Sequence, residues 1–295
     1  MDLLAQLAGR RLLVVTGKGG VGKSAVAATL GSLLARAGQR VLLLEVDPRE
    51  NVHQMLGVSP SGGEIVEAAE RLYLQNLQPR QVVDQLVRDR VPIELVVRRI
   101  LASPLYHNFV EGAPGLEQAA ILGHCLLLGE GRSPGAPPLD VVVLDAPATG
   151  HGVSLLAAPG LVSEAIAAGP VAELTGEVAE LIADSERSAT VVISLAEEMP
   201  VTEALELRAE LATRLDRSPE VLVVNQLLPA DPPPAAASET DAAKLWRCRR
   251  RLQEREMTRL AAAWAGERLE LPLLPLDRGP QLIDALAAVA AGESG

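Results

Sequence analysis

Short runs of apolar, β-branched residues alternate along this chain with longer segments in which apolar positions recur every three or four residues. The run at 12–16 (LLVVT) is apolar throughout and reads as a strand buried on both faces. From Gly22 to Ala37, Val26, Leu30, Leu33 and Leu34 fall on one side of a helix, and Gly38 ends it. Residues 41–46 (VLLLEV) form the next strand, so the opening unit is strand, loop, helix, parallel strand with a right-handed crossover. Similar runs recur at 141–145, 190–195, 220–225 and 269–274, with one weaker strand at Leu72 to Leu77. Helical spacing covers roughly 80–102, 115–128, 153–184, 200–215, 240–265 and 280–291. This alternation predicts an α/β fold with a doubly wound, mostly parallel sheet. The chain reads as a single domain, 1–295, with helical insertions at about 50–138 and 153–184, the first lying as a subdomain over one edge of the sheet. Residues 229–238 (PADPPPAAAS) read as an exposed loop.

Composition narrows the picture. With 48% hydrophobic residues, 295 positions sustain a substantial core rather than a disordered chain. Aromatics are only 2%, which leaves the core to Leu, Val, Ile and Ala and argues against stacking platforms for single-stranded nucleic acid. A net charge of −11 also opposes a phosphate-backbone surface, so no nucleic-acid partner is expected. The two cysteines, Cys125 and Cys248, imply no disulfide framework and fit a reducing cytoplasm. No secretory leader is read in MDLLAQLAGRR, and no apolar stretch reaches 18 residues, so no stable membrane insertion is expected. His53, His107 and His124 have no metal-ligand spacing and read as structural.

The chemistry begins between the first strand and the first long helix. Gly17-Lys18-Gly19-Gly20-Val21-Gly22-Lys23-Ser24 satisfies G-x-x-x-x-G-K-[ST] in the strand–loop–helix setting that gives this pattern its meaning. The glycines let backbone N–H groups turn inward around phosphate oxygens, and the helix N-terminus adds partial positive charge. Lys23 brings a full charge to the β- and γ-phosphates, and the Ser24 hydroxyl suits Mg²⁺. The expected ligands are therefore ATP and Mg²⁺ in a P-loop NTPase fold, with Gly17, Gly19, Gly20, Val21, Gly22, Lys23, Ser24 and Ala25 around the phosphates. Two acids follow buried strands. Asp47 is placed to orient an attacking water, although Asp47-Pro48 also suits a simple turn. Asp145 suits a water on Mg²⁺, in the manner of a Walker-B acid, and Gly150-His151-Gly152 suits a segment that moves with the γ-phosphate. His151 reads equally as a sensor of the nucleotide or as a partner for a loop carbonyl.

Lys18 marks the deviant Walker-A group, and the remaining motifs resemble one branch of it. Asp145 to Gly152 (DAPATGHG) is similar to the D-T-A-P-T-G-H-T signature of the arsenite-pump and tail-anchored-protein targeting ATPase family. Asp47-Pro48 resembles that family's first switch, VVNQLLP (223–229) its adenine-side strand, LPLLP (271–275) its adenine-closing loop and APGLEQAAIL (113–122) one of its helix starts. The resemblance covers nearly the whole chain in the right order. It implies that Asn225 and Pro272 contact the base, and that Asp47, Lys23 and a trans-acting Lys18 carry hydrolysis in a nucleotide-sandwich homodimer. It also implies slow turnover coupled to a protein client that the motifs do not identify. Arg49 and Glu50 stand where that family has Ala and His in its first switch, and Ala25 replaces a common second hydroxyl. That departure leaves room for pairing with a paralogous chain. Against the family's C-x-x-C helix, Ala243 and Trp246 fall on the cysteine positions, so no zinc is expected. Two cysteines do not suit a metalloid site, and four methionines do not suit a Met-lined client groove.

The alternative function is a partition or septum-positioning ATPase of the ParA/MinD type, acting on DNA or membrane. Such a protein would favour a basic amphipathic C-terminal helix, whereas this chain has no Lys or Arg after Arg278. The basic run from Lys244 to Arg259, with Glu254 and Glu256 interleaved, reads as a solvated helix face.

Overall fold

The computed structural model describes residues 3–47, 50–146, 152–166, 168–229 and 240–292. Arg49, the Pro147–His151 part of the second switch and residues 230–238 of the Pro/Ala loop lie outside the described residues. Among those described are eight strands and twelve helices. The strands are β1 (Leu12–Gly17), β2 (Val41–Glu45), β3 (Val66–Ala69), β4 (Leu72–Asn76), β5 (Val141–Asp145), β6 (Ser188–Leu195), β7 (Val221–Leu227) and β8 (Glu267–Pro272). They form one sheet in the order β3-β4-β2-β5-β1-β6-β7-β8, parallel throughout except for β3 against β4.

Helices cover both faces because every central strand is apolar on both sides. Leu12 and Val14 of β1 point to one face, with Leu42, Leu44, Val142 and Leu144. That face is packed by α4 (Pro79–Arg90), α7 (Leu116–Gly129), α8 (Gly152–Ala165) and α9 (Pro170–Ala183). Leu13 and Val15 point to the other, under α2 (Lys23–Arg36), α12 (Pro280–Ala290) and the short α1 (Leu3–Leu7) and α3 (Val52–Leu56). Towards β7, α10 (Glu198–Leu215) and α11 (Asp241–Ala263) close a third apolar cluster around Val192, Leu222 and Val224. The α/β, doubly wound expectation holds.

Local boundaries differ where proline intervenes. The helix expected over 80–102 is two, α4 and α5 (Glu94–Leu101), because Pro92 lacks an N–H and holds Val91 extended (ψ 108°). The helix expected over 153–184 breaks before Gly169-Pro170 into α8 and α9. Between residues 50 and 138 the structure has a hairpin, β3–β4, rather than one weak strand, and two unanticipated helices, α3 and α6 (Pro104–Gly112). β3 is four residues of VEAA at the sheet edge, too short and too poor in β-branched residues to announce itself. No described helix is long and apolar enough to cross a membrane.

Candidate functional site

The sheet order places β5 and β6 on either side of β1, so the connection from β1 runs to β2 on one side while the connection from β5 crosses to β6 on the other. A crevice opens at such a point beyond the strand C-termini, and three of those termini carry acids or glycine. In register, Val15 of β1 sits beside Asp145 of β5, and Asp145 beside Glu45 of β2. The loop after β1 then turns into α2 across this edge.

The turn depends on glycine at two close approaches. Gly17 (φ 149°) lies so near β6 that a Cβ would stand 2.3 Å from the Ile193 carbonyl oxygen. Gly22 (φ 92°) is the N-cap of α2, where a Cβ would stand 2.4 Å from Asn225 Nδ2. Asn225 is buried, donates from Nδ2 to the Val21 carbonyl (3.0 Å) and accepts the Gln226 N–H at Oδ1 (2.9 Å). Its amide thus braces the loop. Pro272 ends β8 in register with Leu227, two residues beyond Asn225 along the same edge.

A cavity of about 240 Å³ lies against the loop, and it unites Gly20, Gly22, Lys23, Ser24, Ala25, Asp47 and Asp145. Val46, Met55, Ala146 and Arg278 are the other described residues that line it. Lys23 is almost fully buried and donates to the Lys18 carbonyl (3.1 Å). Burial lowers its pKa from the ordinary lysine value, and the negative charges of Asp145 and Asp47 oppose that fall. The same burial pushes the Asp145 carboxyl up to about 7, against a hydrogen bond from Ser24 and the charge of Lys23. Asp145 Oδ1 is buried without a hydrogen-bond partner. An orphaned carboxylate oxygen next to a serine hydroxyl, both hard oxygen donors, fits Mg²⁺. No cluster of three or more His, Cys, Asp or Glu suited to a metal is present among the described residues.

Lys18 does not line this cavity. Its ammonium lies 2.6 Å from Glu203 Oε1 of α10, beside a second hollow bounded by Thr16, Gly17 and Glu206. The two lysines of one loop therefore point to opposite sides of it.

Three features of the site were not anticipated. Glu45, inside an otherwise apolar strand, is 1% exposed and accepts the backbone N–H groups of Asn51 (2.9 Å) and Val52 (3.3 Å) and the Asn76 side-chain amide (3.1 Å). Burial raises its pKa in spite of these donors. Asn76 also donates to the Asp47 carbonyl (3.2 Å), so β2 and β4 together hold the segment that carries Asp47. Glu50 accepts from the backbone N–H groups of Ser61 (2.8 Å) and Gly62 (3.2 Å), which gives this departure from the first switch a structural use. Arg278 enters the cavity from just ahead of α12. The only signal in the sequence was one acid in an apolar run and one arginine before Gly-Pro.

Comparison with known proteins gives the family. A family model described as Anion-transporting ATPase matches residues 10–169. ATPase BagA of Mycobacterium tuberculosis is 31% identical over 265 residues, 81% of this chain and 73% of that protein. An arsenical pump-driving ATPase of Escherichia coli is 30% identical over 268 residues, covering 84% of this chain but 43% of that protein. An ATPase ASNA1 homolog of Cryptosporidium parvum is 28% identical over 158 residues, 52% of this chain and 39% of that protein.

Proposed function

The chain belongs to the anion-transporting ATPase family, and on that premise we propose that it hydrolyses ATP as a dimeric switch whose nucleotide state governs binding of a protein client. The carrying observation is the divergence of Lys18 and Lys23. Lys23 faces the cavity in its own chain, while Lys18 turns to Glu203 and leaves that cavity without its charge. A lysine so placed serves a second copy docked against the loop. Both partners of the Lys18–Glu203 pair are more than one-third exposed, so the pair contributes at most about 1 kcal/mol and exchanges readily.

Backbone N–H groups from Gly19 to Ser24 hold the phosphates, with Lys23 as counter-charge. Ser24, and Asp145 through water, would hold Mg²⁺, which when bound neutralises the β- and γ-phosphate oxygens. Asp47 orients the attacking water and takes its proton as the γ-phosphoryl group leaves ADP. Hydrolysis in a lone chain is slow because Lys18 is absent from that chain's cavity. Asn225 and Pro272 stand on the adenine side. The client-facing surface is the α5–α6 region, where Ile93, Leu95 and Leu105 are 59%, 79% and 78% exposed. The protein acts in the cytoplasm as a homodimer, with a paralogous chain as the other candidate partner.

Mixing Lys18→Ala and Lys23→Ala chains tests this. Each alone should be nearly inactive, and the mixture should regain ATPase activity, because a mixed dimer holds one site with Lys23 in cis and Lys18 in trans. Full activity of Lys18→Ala on its own overturns the sandwich.

A further inference from the structure

Among the described residues, the nucleotide cavity holds few positive charges. Asp47 and Asp145 line it, Glu45 is buried behind it, and Lys23 is its only lysine among the described residues. A bound di- or triphosphate adds several more negative charges. Arg278 is the other cation among the described lining residues, and it arrives from a part of the chain remote in sequence from the phosphate loop. We propose that Arg278 is a nucleotide-binding residue, which gives up the first-switch residue Asn51 for a phosphate oxygen of the bound nucleotide. This inference rests on the ATP reading above.

Three observations carry it. The first is position. Arg278 precedes α12, and Ile283, Leu286 and Ala290 of α12 pack in the same core as Val26, Leu30 and Leu33 of α2. Arg278 and the phosphate loop therefore lead into two helices that share one apolar interface. The second is availability. Arg278 Nη2 stands 3.5 Å from the Asn51 carbonyl oxygen and 3.4 Å from Asn51 Oδ1, beyond the 2.7–3.2 Å of a well-made N–H···O bond. Among the described residues it has no ion pair. A phosphate oxygen offers the same fork a shorter, charge-assisted bond. The third is what Asn51 already holds. Its N–H is fixed by Glu45, so the far end of the Asp47 segment stays on β2 when Arg278 leaves. Arg278 thus couples bound nucleotide to that segment, while Glu45 holds it to β2.

Titration of ADP with Mg²⁺ into the full chain by calorimetry tests the assignment. Arg278→Ala should weaken ADP binding about ten- to hundredfold, the scale of one charged hydrogen bond. Arg278→Lys, which keeps charge and loses the fork, should recover part of that loss. The side chain is exposed, so the melting temperature without nucleotide should not change. Lys23→Ala serves as reference. If Lys23→Ala loses ADP affinity while Arg278→Ala binds as wild type, the Arg278 assignment is overturned and the ATP reading stands. If wild type itself does not bind ADP or ATP, the ATP reading fails and this inference with it.

Discussion

Individual residues of the site are tuned by burial more than by pairing. Asp145 is the clearest case, since its carboxyl is raised to about 7. A folded-state pKa above the unfolded value means that the protonated form favours the fold. That contribution is complete below about pH 4 and is lost as pH rises through about 7, at a scale of about 4 kcal/mol. Nucleotide- and metal-free protein should therefore melt at a lower temperature at pH 8 than at pH 5, and Asp145→Asn should flatten that difference. Parallel melting curves of the two proteins across this range decide it; equal pH dependence refutes the assignment. The motif residues were legible one by one, because a phosphate loop needs glycine, lysine and serine at fixed intervals. Glu45, Asn76 and Arg278 were not. Each has a value only through a neighbour that the chain brings close from 6 to more than 200 positions away.

At the scale of elements, the far end of the sheet is held by polar contacts that periodicity does not show. Arg217, at the junction of α10 and β7, reaches the Ser188 hydroxyl (2.7 Å) and carbonyl (3.1 Å) at the start of β6, and the Ile182 carbonyl at the end of α9. It also pairs with Glu220, which accepts the Thr190 N–H (2.7 Å), and both side chains are nearly buried. Arg217→Ala leaves Glu220 uncompensated and three acceptors without a donor, so it should cost about 3 kcal/mol or more in chemical denaturation. Nucleotide affinity should stay unchanged, because the network lies at the opposite end of the strands from the cavity. A loss below about 0.5 kcal/mol would show that the network is ornamental. The buried strands were legible because residues apolar on both faces have few alternatives. Helix breaks were less so, since Val91-Pro92 and Gly169-Pro170 interrupt segments whose apolar spacing continues across them. β3 owes its state to β4, which offers it an edge.

For the whole molecule the decisive question is assembly. Blocking hydrolysis at Asp47 should leave ATP in place and accumulate the closed pair. Asp47→Asn with ATP and Mg²⁺ should sediment as a dimer, Lys18→Ala in the same background should shift back towards monomer, and ADP should favour monomer in both. A monomer under every nucleotide condition would remove the switch. The doubly wound sheet puts the phosphate loop beyond the C-terminal end of β1, with one hollow towards α10 and the Lys23 cavity on its other side.

By itself the sequence determined the parallel α/β architecture, the phosphate loop and the family, because these depend on local periodicity and on short motifs whose backbone geometry is set by the residues within them. Tertiary structure alone decided which way each lysine of the loop turns, that Glu45 and Asn76 anchor the Asp47 segment, and that Arg278 faces the cavity. The physical reason is that direction, burial and charge complementarity belong to pairs of groups far apart in the chain, and no single segment carries them.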